Sequence, residues 1–174
     1  MTKRLFLGIA LDTQQTQQID QLQTQLGKSL RRVPVQNLHM TLAFLGPVSD
    51  QIQVQLEAKI SIMHKPKFQQ TLNTLTHWEK PHVLCLTGQK VDPCLAQLAK
   101  ECYSLTCLFS LQKNAHLFAP HITLARKVSN MQQSSITSVA IKTLFLSPTI
   151  MHLYHSQSTD TGVQYHILRS WQLE

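Results

Sequence analysis

The amino-acid sequence predicts an α+β protein, and two observations support that prediction. Three segments have apolar residues three or four positions apart, as in amphipathic helices, and segments rich in branched and aromatic residues lie between and after them, as in strands. The tetrapeptide His-x-Thr-Leu with an apolar x also occurs twice, at residues 39–42 and 121–124. The predicted order is β-α-β-α-β-β-α-β followed by further strands, within one domain over residues 1–174.

The composition narrows the class of protein. The 174 residues are 43% hydrophobic and 14% charged, as in an ordinary folded domain. Sixteen Lys and Arg against nine Asp and Glu give a net charge of +7, which favours a polyanionic partner. The few carboxylates form no cluster suited to two-metal phosphodiester chemistry, and no apolar run is long enough to span a membrane.

The cysteines and the first residues indicate a cytoplasmic protein. The cysteines form neither a C-x-x-C pair nor a zinc-ligand spacing, so we expect reduced, mostly buried thiols. Residues 1–11 begin with a basic pair and an apolar run, but that run ends at Asp12 without a signal-peptide cleavage site. The four cysteines are Cys85, Cys94, Cys102 and Cys107.

The first strand and helix are predicted from residues 3–32. Residues 3–11 form a buried strand, and Asp12 or Thr13 caps the helix that follows. The basic pair Arg31-Arg32 ends this helix, because positive charge suits a helix C-terminus. The apolar stripe of the helix is Ile19, Leu22, Leu26 and Leu30.

The first tetrapeptide lies in a predicted strand over residues 37–45, which Gly46-Pro47 ends. A second helix then begins at Ser49 or Asp50. Its inner face is Ile52, Leu56, Ile60 and Met63.

The middle of the chain holds two further strands and a third helix. We predict strands at residues 67–77 and 82–88. Asp92 as N-cap and Pro93 at the first helical position begin the helix. Its apolar stripe is Leu95, Leu98, Cys102 and Leu105.

The second tetrapeptide and the C-terminal part are predicted to be mainly strands. Residues 121–126 form the second motif strand, and the polar residues 129–138 form either a short helix or a loop. Residues 141–155 form one or two strands interrupted around Ser147-Pro148. A turn at residues 159–162 precedes the final strand, 163–172.

The repeated tetrapeptide is the candidate functional feature. Side chains alternate across a strand, so the His and Thr of each copy face one way and the two apolar residues face the other. Two such strands side by side would bring His39, Thr41, His121 and Thr123 into one cleft. A single His in a strand is usually structural or exposed, and we interpret the other seven histidines in that way. Two imidazoles and two hydroxyls together are suited to acid/base chemistry on a phosphate.

The flanks of the two copies add a resemblance to a known family. The first copy is followed by Phe44-Leu45-Gly46, and Arg126 lies three residues past Thr123. With these features the chain resembles the two-histidine (2H) phosphoesterases, and among them the RNA 2′,3′-cyclic phosphodiesterases once called 2′-5′ RNA ligases. The resemblance implies a bilobal α+β fold. Two lobes of antiparallel sheet, with helices packed outside, would be related by a pseudo-two-fold axis and would enclose the active-site cleft.

The resemblance also implies an activity and a set of partners. The expected reaction is hydrolysis of RNA 2′,3′-cyclic phosphodiester ends to 2′-phosphomonoesters without metal or cofactor. The reverse reaction would be 2′-5′ ligation. The expected partner is RNA with a cyclic phosphate end, such as tRNA fragments or short oligonucleotides, and the expected state is a monomer. Two alternatives remain open: a small cyclic phosphate or 2′-5′ oligonucleotide as substrate, and a non-catalytic RNA-end-binding module.

The resemblance assigns roles residue by residue. His39 is the proton donor and His121 the proton acceptor, while Thr41, Thr123 and Arg126 bind the phosphate. In a uniformly extended strand Arg126 would face away from Thr123, so this assignment requires a bend or a bulge. Many relatives carry an aromatic residue at the position of Arg32. We therefore expect the base to contact either an arginine plane or Phe44.

Overall fold

The structure is a computed structural model that describes residues 1–27, 29–111, 118–128, 139–160 and 162–174. Three α-helices and ten strands lie in these ranges, and the mixed α+β class predicted from the sequence is confirmed. The helices are α1 (Thr13–Gln25), α2 (Asp50–Ile62) and α3 (Pro93–Leu108). The strands are β1 (Thr2–Ala10), β2 (Arg31–Arg32), β3 (His39–Ser49), β4 (Gln70–Leu72), β5 (Thr74–Trp78), β6 (Val83–Thr87), β7 (His121–Arg126), β8 (Leu144–Leu146), β9 (Ile150–Thr159) and β10 (Gly162–Gln172).

The strands form one large antiparallel sheet and one small one. The large sheet has the order β10-β9-β1-β3-β7-β6-β5, with β2 also paired to β7, and β4 pairs with β8. The motif strands β3 and β7 are neighbours at its centre, where Met40 lies opposite Ile122. These residues hold equivalent places in the two tetrapeptides. Because an antiparallel pair has local two-fold symmetry, the axis passes between the two motifs and relates the two halves of the sheet there.

The helices begin where the sequence predicts. Asp12 accepts a hydrogen bond from the backbone N–H of Gln15, whose side chain accepts one from the Asp12 N–H, which makes a capping box. Ser49 caps α2, and Asp92 caps α3 ahead of Pro93. These caps satisfy backbone donors that the helix leaves unpaired, and so they fix where each helix starts.

The core and the histidines lie on opposite faces of the central strands. Met40, Leu42, Ile122 and Leu124 are at most 4% exposed and belong to one hydrophobic cluster that includes the inner residues of all three helices. The helical stripes predicted from the sequence lie in or against this cluster. The opposite face of β3 and β7 is thereby left to the His and Thr side chains.

Two predicted element ends are wrong. Helix α1 ends at Gln25, and Gly27 adopts a left-handed φ of 97°, so the basic pair lies beyond the helix and forms β2 beside β7. The first motif strand does not stop at Gly46-Pro47 but continues to Ser49. At Pro47 the described partner of β3 is β1 alone, and a proline is tolerated where one edge of a strand is unpaired.

Other predictions hold in modified form. The segment 67–77 contains two strands, β4 and β5, in different sheets, and the segment around Ser147-Pro148 separates β8 from β9. All four cysteines are free, but only Cys85 and Cys102 are buried. Residues 129–138 and His116 lie outside the described residues. Within the described residues no helix is long and apolar enough to cross a membrane.

Candidate active site

Both motif strands contain a β-bulge at the same residue of the repeat. In β7, Cys85 lies opposite Thr123 and Leu84 opposite Ala125, so Leu124 is an extra residue. In β3, Gly8 lies opposite Thr41 and Leu7 opposite Ala43, so Leu42 is the extra residue there. A bulge resets the alternation of side chains. The residue five positions after each His therefore returns to the face of that His.

Those two residues are Phe44 and Arg126. Both are exposed, and Phe44 is within reach of the His39 side, since its ring centroid lies 6.1 Å from that of Phe6. The register puts Arg126 on the face of Thr123, and its positive charge lowers the pKa of both His39 and His121. The bulge that the sequence analysis required for Arg126 is thus present.

The two imidazoles are held in the same way. Nδ1 of His39 lies 2.7 Å from the carbonyl oxygen of Asn37, and Nδ1 of His121 lies 2.8 Å from that of Ala119. A carbonyl oxygen only accepts, so Nδ1 carries the proton in each ring and Nε2 is the nitrogen that titrates. Nε2 of His39 lies 3.0 Å from Oγ1 of Thr41. In the neutral ring this nitrogen accepts a hydrogen bond from the Thr41 hydroxyl.

Aromatic rings surround His39. Its ring centroid is 4.8 Å from Phe6, 5.0 Å from Tyr165 and 5.9 Å from Tyr154, and Tyr154 also stacks on Phe6 at 4.8 Å. A cavity of about 290 Å³ adjoins this cluster and is lined by His39, Asn37, both tyrosines and Ile167, among others. The His39 side of the cleft is therefore rich in aromatic rings.

The surroundings of His121 combine one aromatic ring with a hydrogen-bonded thiol. Trp78 packs edge-on against the ring at a centroid distance of 4.5 Å. On the neighbouring strand the Cys85 thiol donates a 3.9 Å hydrogen bond to Oγ1 of Thr123. Burial raises the pKa of this thiol to about 11, so it is neutral and able to donate near pH 7.

The pKa values of both histidines are lowered. Burial is the main cause for His39, whose pKa falls from 6.5 to about 4, and the charges of His121 and Arg126 add to the effect. Burial and then Arg126 lower the pKa of His121. Both rings are therefore mostly neutral in the free protein near pH 7. A bound anion would favour the protonated forms and raise both pKa values.

Arg32 does not lie in the cleft. It pairs with Ala125, a core-facing residue, and its Nη1 donates a 3.4 Å hydrogen bond to Oγ1 of Thr24 on α1. Arg32 therefore does not supply the arginine plane considered from the sequence, whereas Phe44 is on the histidine face.

Sequence reasoning missed the residues around the imidazoles. These residues come from five other strands, and no local pattern marks them: Phe6, Trp78, Cys85, Tyr154 and Tyr165. Their places depend on strand order and register, which sequence periodicity does not determine. The sequence did contain one signal of the two bulges. Both copies of the repeat extend to His-x-Thr-Leu-Ala, and the bulge lies at the Leu-Ala pair of each copy.

Comparison with known proteins identifies the family. The model of the 2′-5′ RNA ligase superfamily matches residues 11–154 of this chain. The chain belongs to the 2′-5′ RNA ligase superfamily. The family membership predicted from the two tetrapeptides is thereby confirmed.

Individual relatives agree with this membership. The RNA 2′,3′-cyclic phosphodiesterase of Escherichia coli (strain K12) is 34% identical over 99 residues, which are 57% of this chain and 56% of that protein. The match thus spans little more than half of either protein. A crystal structure described as a phosphoesterase is 28% identical with a TM-score of 0.89, and one of E. coli LigT complexed with 3′-AMP is 28% identical with a TM-score of 0.88. Each structural match covers 99% of both chains.

Proposed function

We propose that this protein hydrolyses the 2′,3′-cyclic phosphodiester end of RNA to a 2′-phosphomonoester. The observation that carries the proposal is the paired arrangement of His39 and His121, each with Nδ1 fixed by a carbonyl and Nε2 left to exchange protons. Two relatives support it: one is named for this reaction, and E. coli LigT binds 3′-AMP, a nucleotide with a terminal ribose phosphate.

The proposed reaction needs water, a neutral His121, and a His39 whose Nε2 takes up a proton from solvent when the phosphate binds. Water attacks phosphorus as its proton passes to Nε2 of His121. The P–O3′ bond breaks, and O3′ takes a proton from Nε2 of His39. The products are a free 3′-hydroxyl and a 2′-phosphomonoester. Because one imidazole supplies a proton and the other removes one, the mechanism has no step that requires a metal.

Three further residues are proposed to bind the non-bridging oxygens. The hydroxyls of Thr41 and Thr123 and the guanidinium of Arg126 would donate to the charge that develops there. Thr41 donates to His39 in the free protein. Once His39 is protonated, its Nε2 becomes a donor, and the Thr41 hydroxyl is released to donate to phosphate. Protonation of His39 and phosphate binding would therefore favour each other.

The test uses a short RNA with a 2′,3′-cyclic phosphate end, in excess EDTA, with wild type, His39→Ala and His121→Ala. We expect a 2′-phosphate product from wild type and a loss of about a hundredfold or more in each variant, the usual contribution of a general acid or base. The exposed His64 provides the matched control: His64→Ala should retain wild-type turnover. A 3′-phosphate product would show that O2′, and not O3′, is the leaving group. No turnover of RNA would contradict the proposal.

The older family name points to a second reaction of the same site. With a 5′-hydroxyl in place of water, the nucleophile attacks the cyclic phosphate, the P–O3′ bond breaks, and a 2′-5′ linkage forms with a free 3′-hydroxyl. Incubation of two short RNAs, one with a cyclic end and one with a 5′-hydroxyl, should then yield a 2′-5′ joined product without ATP. Two outcomes compete with the proposed function. Either a small cyclic phosphate is the better substrate, or the protein binds RNA without turnover.

We also propose that residues 1–174 work as one domain and as a monomer. One hydrophobic cluster includes residues from both halves of the large sheet, which supports the first point. Light scattering coupled to size-exclusion chromatography tests the second.

A further inference from the structure

Arg31 lies on the same face of the sheet as the two histidines. Strand β2 pairs with β7 so that Arg31 is opposite Arg126 and Arg32 is opposite Ala125. Residues directly opposite each other in an antiparallel pair share a face. Arg126 is on the histidine face after the bulge, and Arg32 bonds to Thr24 of α1 on the other face. Both observations place the Arg31 side chain towards the cleft.

The charges around Arg31 favour an anion. Two guanidiniums directly opposite each other repel, and like-charged cross-strand pairs are destabilising. Both are exposed, and neither has an ion-pair partner within the described residues. None of the ten described strands contains an Asp or Glu. A bound anion would turn this repulsion into attraction.

The proposed reaction does not use Arg31. The reacting phosphate has two non-bridging oxygens, and the two threonine hydroxyls with Arg126 already supply donors to them. Arg31 is a second cation on the next strand, beyond Arg126 from the histidines. Two guanidiniums on neighbouring strands suit two successive phosphates of one chain.

We propose that Arg31 binds the phosphodiester that precedes the terminal nucleotide. This inference rests on the proposed function. Arg31 would then determine the preference for an RNA chain over a free cyclic mononucleotide, because only the chain has a second phosphate. It would be a specificity residue for substrate length rather than a contributor to the chemical step.

The test compares a trinucleotide ending in a 2′,3′-cyclic phosphate with the cyclic mononucleotide. Arg31→Gln should lower kcat/KM for the trinucleotide by about tenfold, the effect of one charge-assisted hydrogen bond, and change the mononucleotide value by less than twofold. Arg32→Gln is the matched control, since it removes the same charge one residue away on the opposite face, and it should change neither value. The salt dependence of trinucleotide KM should also fall, by about 0.7 in the log–log slope for Arg31→Gln alone.

Two kinetic results would overturn this inference without affecting the proposed function. An equal loss on both substrates would place Arg31 on the reacting phosphate. Equal losses from Arg31→Gln and Arg32→Gln would show that the effect comes from the net charge of the protein and not from a specific contact of Arg31.

A binding measurement tests the contact of Arg31 independently of turnover. Fluorescence anisotropy with a labelled trinucleotide ending in a 3′-phosphate reports binding whether or not turnover occurs. Weaker binding by Arg31→Gln than by Arg32→Gln would support the second phosphate contact even if wild type turned over no RNA. Unchanged binding by Arg31→Gln would overturn it.

Discussion

The two halves of the cleft have the same backbone arrangement and differ in their side chains. Each has a His whose Nδ1 is fixed by the carbonyl two residues earlier, a Thr two residues later, and a bulge at the following Leu. The fifth residue after each His is then Phe44 in one half and Arg126 in the other. The repeat thus builds two equivalent positions and fills them with an aromatic ring and a cation.

The neighbouring strands extend this difference. Phe6 and Tyr165 enclose His39, whereas His121 has Trp78 on one side and the charge of Arg126 nearby. The more strongly lowered pKa is that of His39. In the proposed reaction the two-fold arrangement would supply two imidazoles for an in-line displacement. The unequal surroundings would favour one substrate orientation, with the phosphate towards Arg126 and the nucleoside towards the rings.

The largest effect is expected from substituting smaller, uncharged side chains at the two equivalent positions, Arg126 and Phe44. Arg126→Gln removes a charged donor to the developing oxyanion and should lower kcat/KM by about a hundredfold to a thousandfold, mostly in kcat. Phe44→Ala removes a stacking surface and should raise KM by about tenfold with little change in kcat. Steady-state kinetics on a short cyclic-ended RNA separates the two.

A second readout distinguishes Arg126 from a merely structural residue. The positive charge of Arg126 lowers both histidine pKa values, so Arg126→Gln should raise both, and Phe44→Ala should not. NMR titration of the His Hε1 signals measures this directly. Equal kinetic losses in the two variants, or unmoved histidine pKa values in Arg126→Gln, would contradict the division of roles.

The pH dependence of stability tests how differently the two halves bury their histidines. The pKa of His39 is about 4 in the folded protein and near 6.5 in the unfolded chain. Between these pH values the unfolded chain binds a proton that the folded protein does not, so the free energy of unfolding falls as the pH drops from about 6.5 to about 4. For a shift of this size the loss from His39 alone is about 3 kcal/mol at most.

Urea unfolding of wild type, His39→Gln and His121→Gln at pH 7 and pH 4.5 measures this loss. His39→Gln should flatten the pH dependence more than His121→Gln, because the pKa of His39 is lowered further. The opposite ranking would show that the His121 side is the more buried half. Because unfolding is measured without substrate, the comparison is independent of the proposed reaction.

The sequence was sufficient for what depends on local pattern. The three helix starts followed from Asp12, Ser49 and Asp92, whose side chains cap the first turn. The α+β class followed from the apolar periodicity together with the repeat, and the family followed from the two tetrapeptides and their flanks. The need for a bulge before Arg126 was also predictable, since a regular strand would turn that side chain away from Thr123.

The sequence was insufficient where long-range pairing decides the outcome. Arg31 and Arg32 have the charge expected at a helix C-terminus, yet pairing with β7 makes them a strand and sends them to opposite faces. Pro47 reads as a strand breaker, yet β3 is paired on only one side there. The rings around His39 come from strands β1, β9 and β10, so only the register of the sheet brings them together.

The smallest expected effect concerns the residues opposite the two threonines. Thr41 faces Gly8, where an added Cβ would lie 2.8 Å from the Met40 carbonyl oxygen, and its hydroxyl is committed to His39 in the free protein. Thr123 faces Cys85, whose thiol donates to its oxygen and leaves the Thr123 proton directed elsewhere. In the proposed reaction the thiol would thus leave the Thr123 proton available to the phosphate before substrate binds.

Replacing Cys85 should therefore weaken only the His121 half of the site. Cys85→Ala removes one weak donor and should lower kcat/KM by about twofold to threefold. Cys85→Ser keeps a donor and should retain more activity, because a hydroxyl donates more strongly than a thiol. Kinetics at pH 7 on the same RNA, with Cys107→Ala as the exposed control, decides the point. If Cys85→Ser is as impaired as Cys85→Ala, packing of the sulfur rather than its hydrogen bond sets the orientation of Thr123.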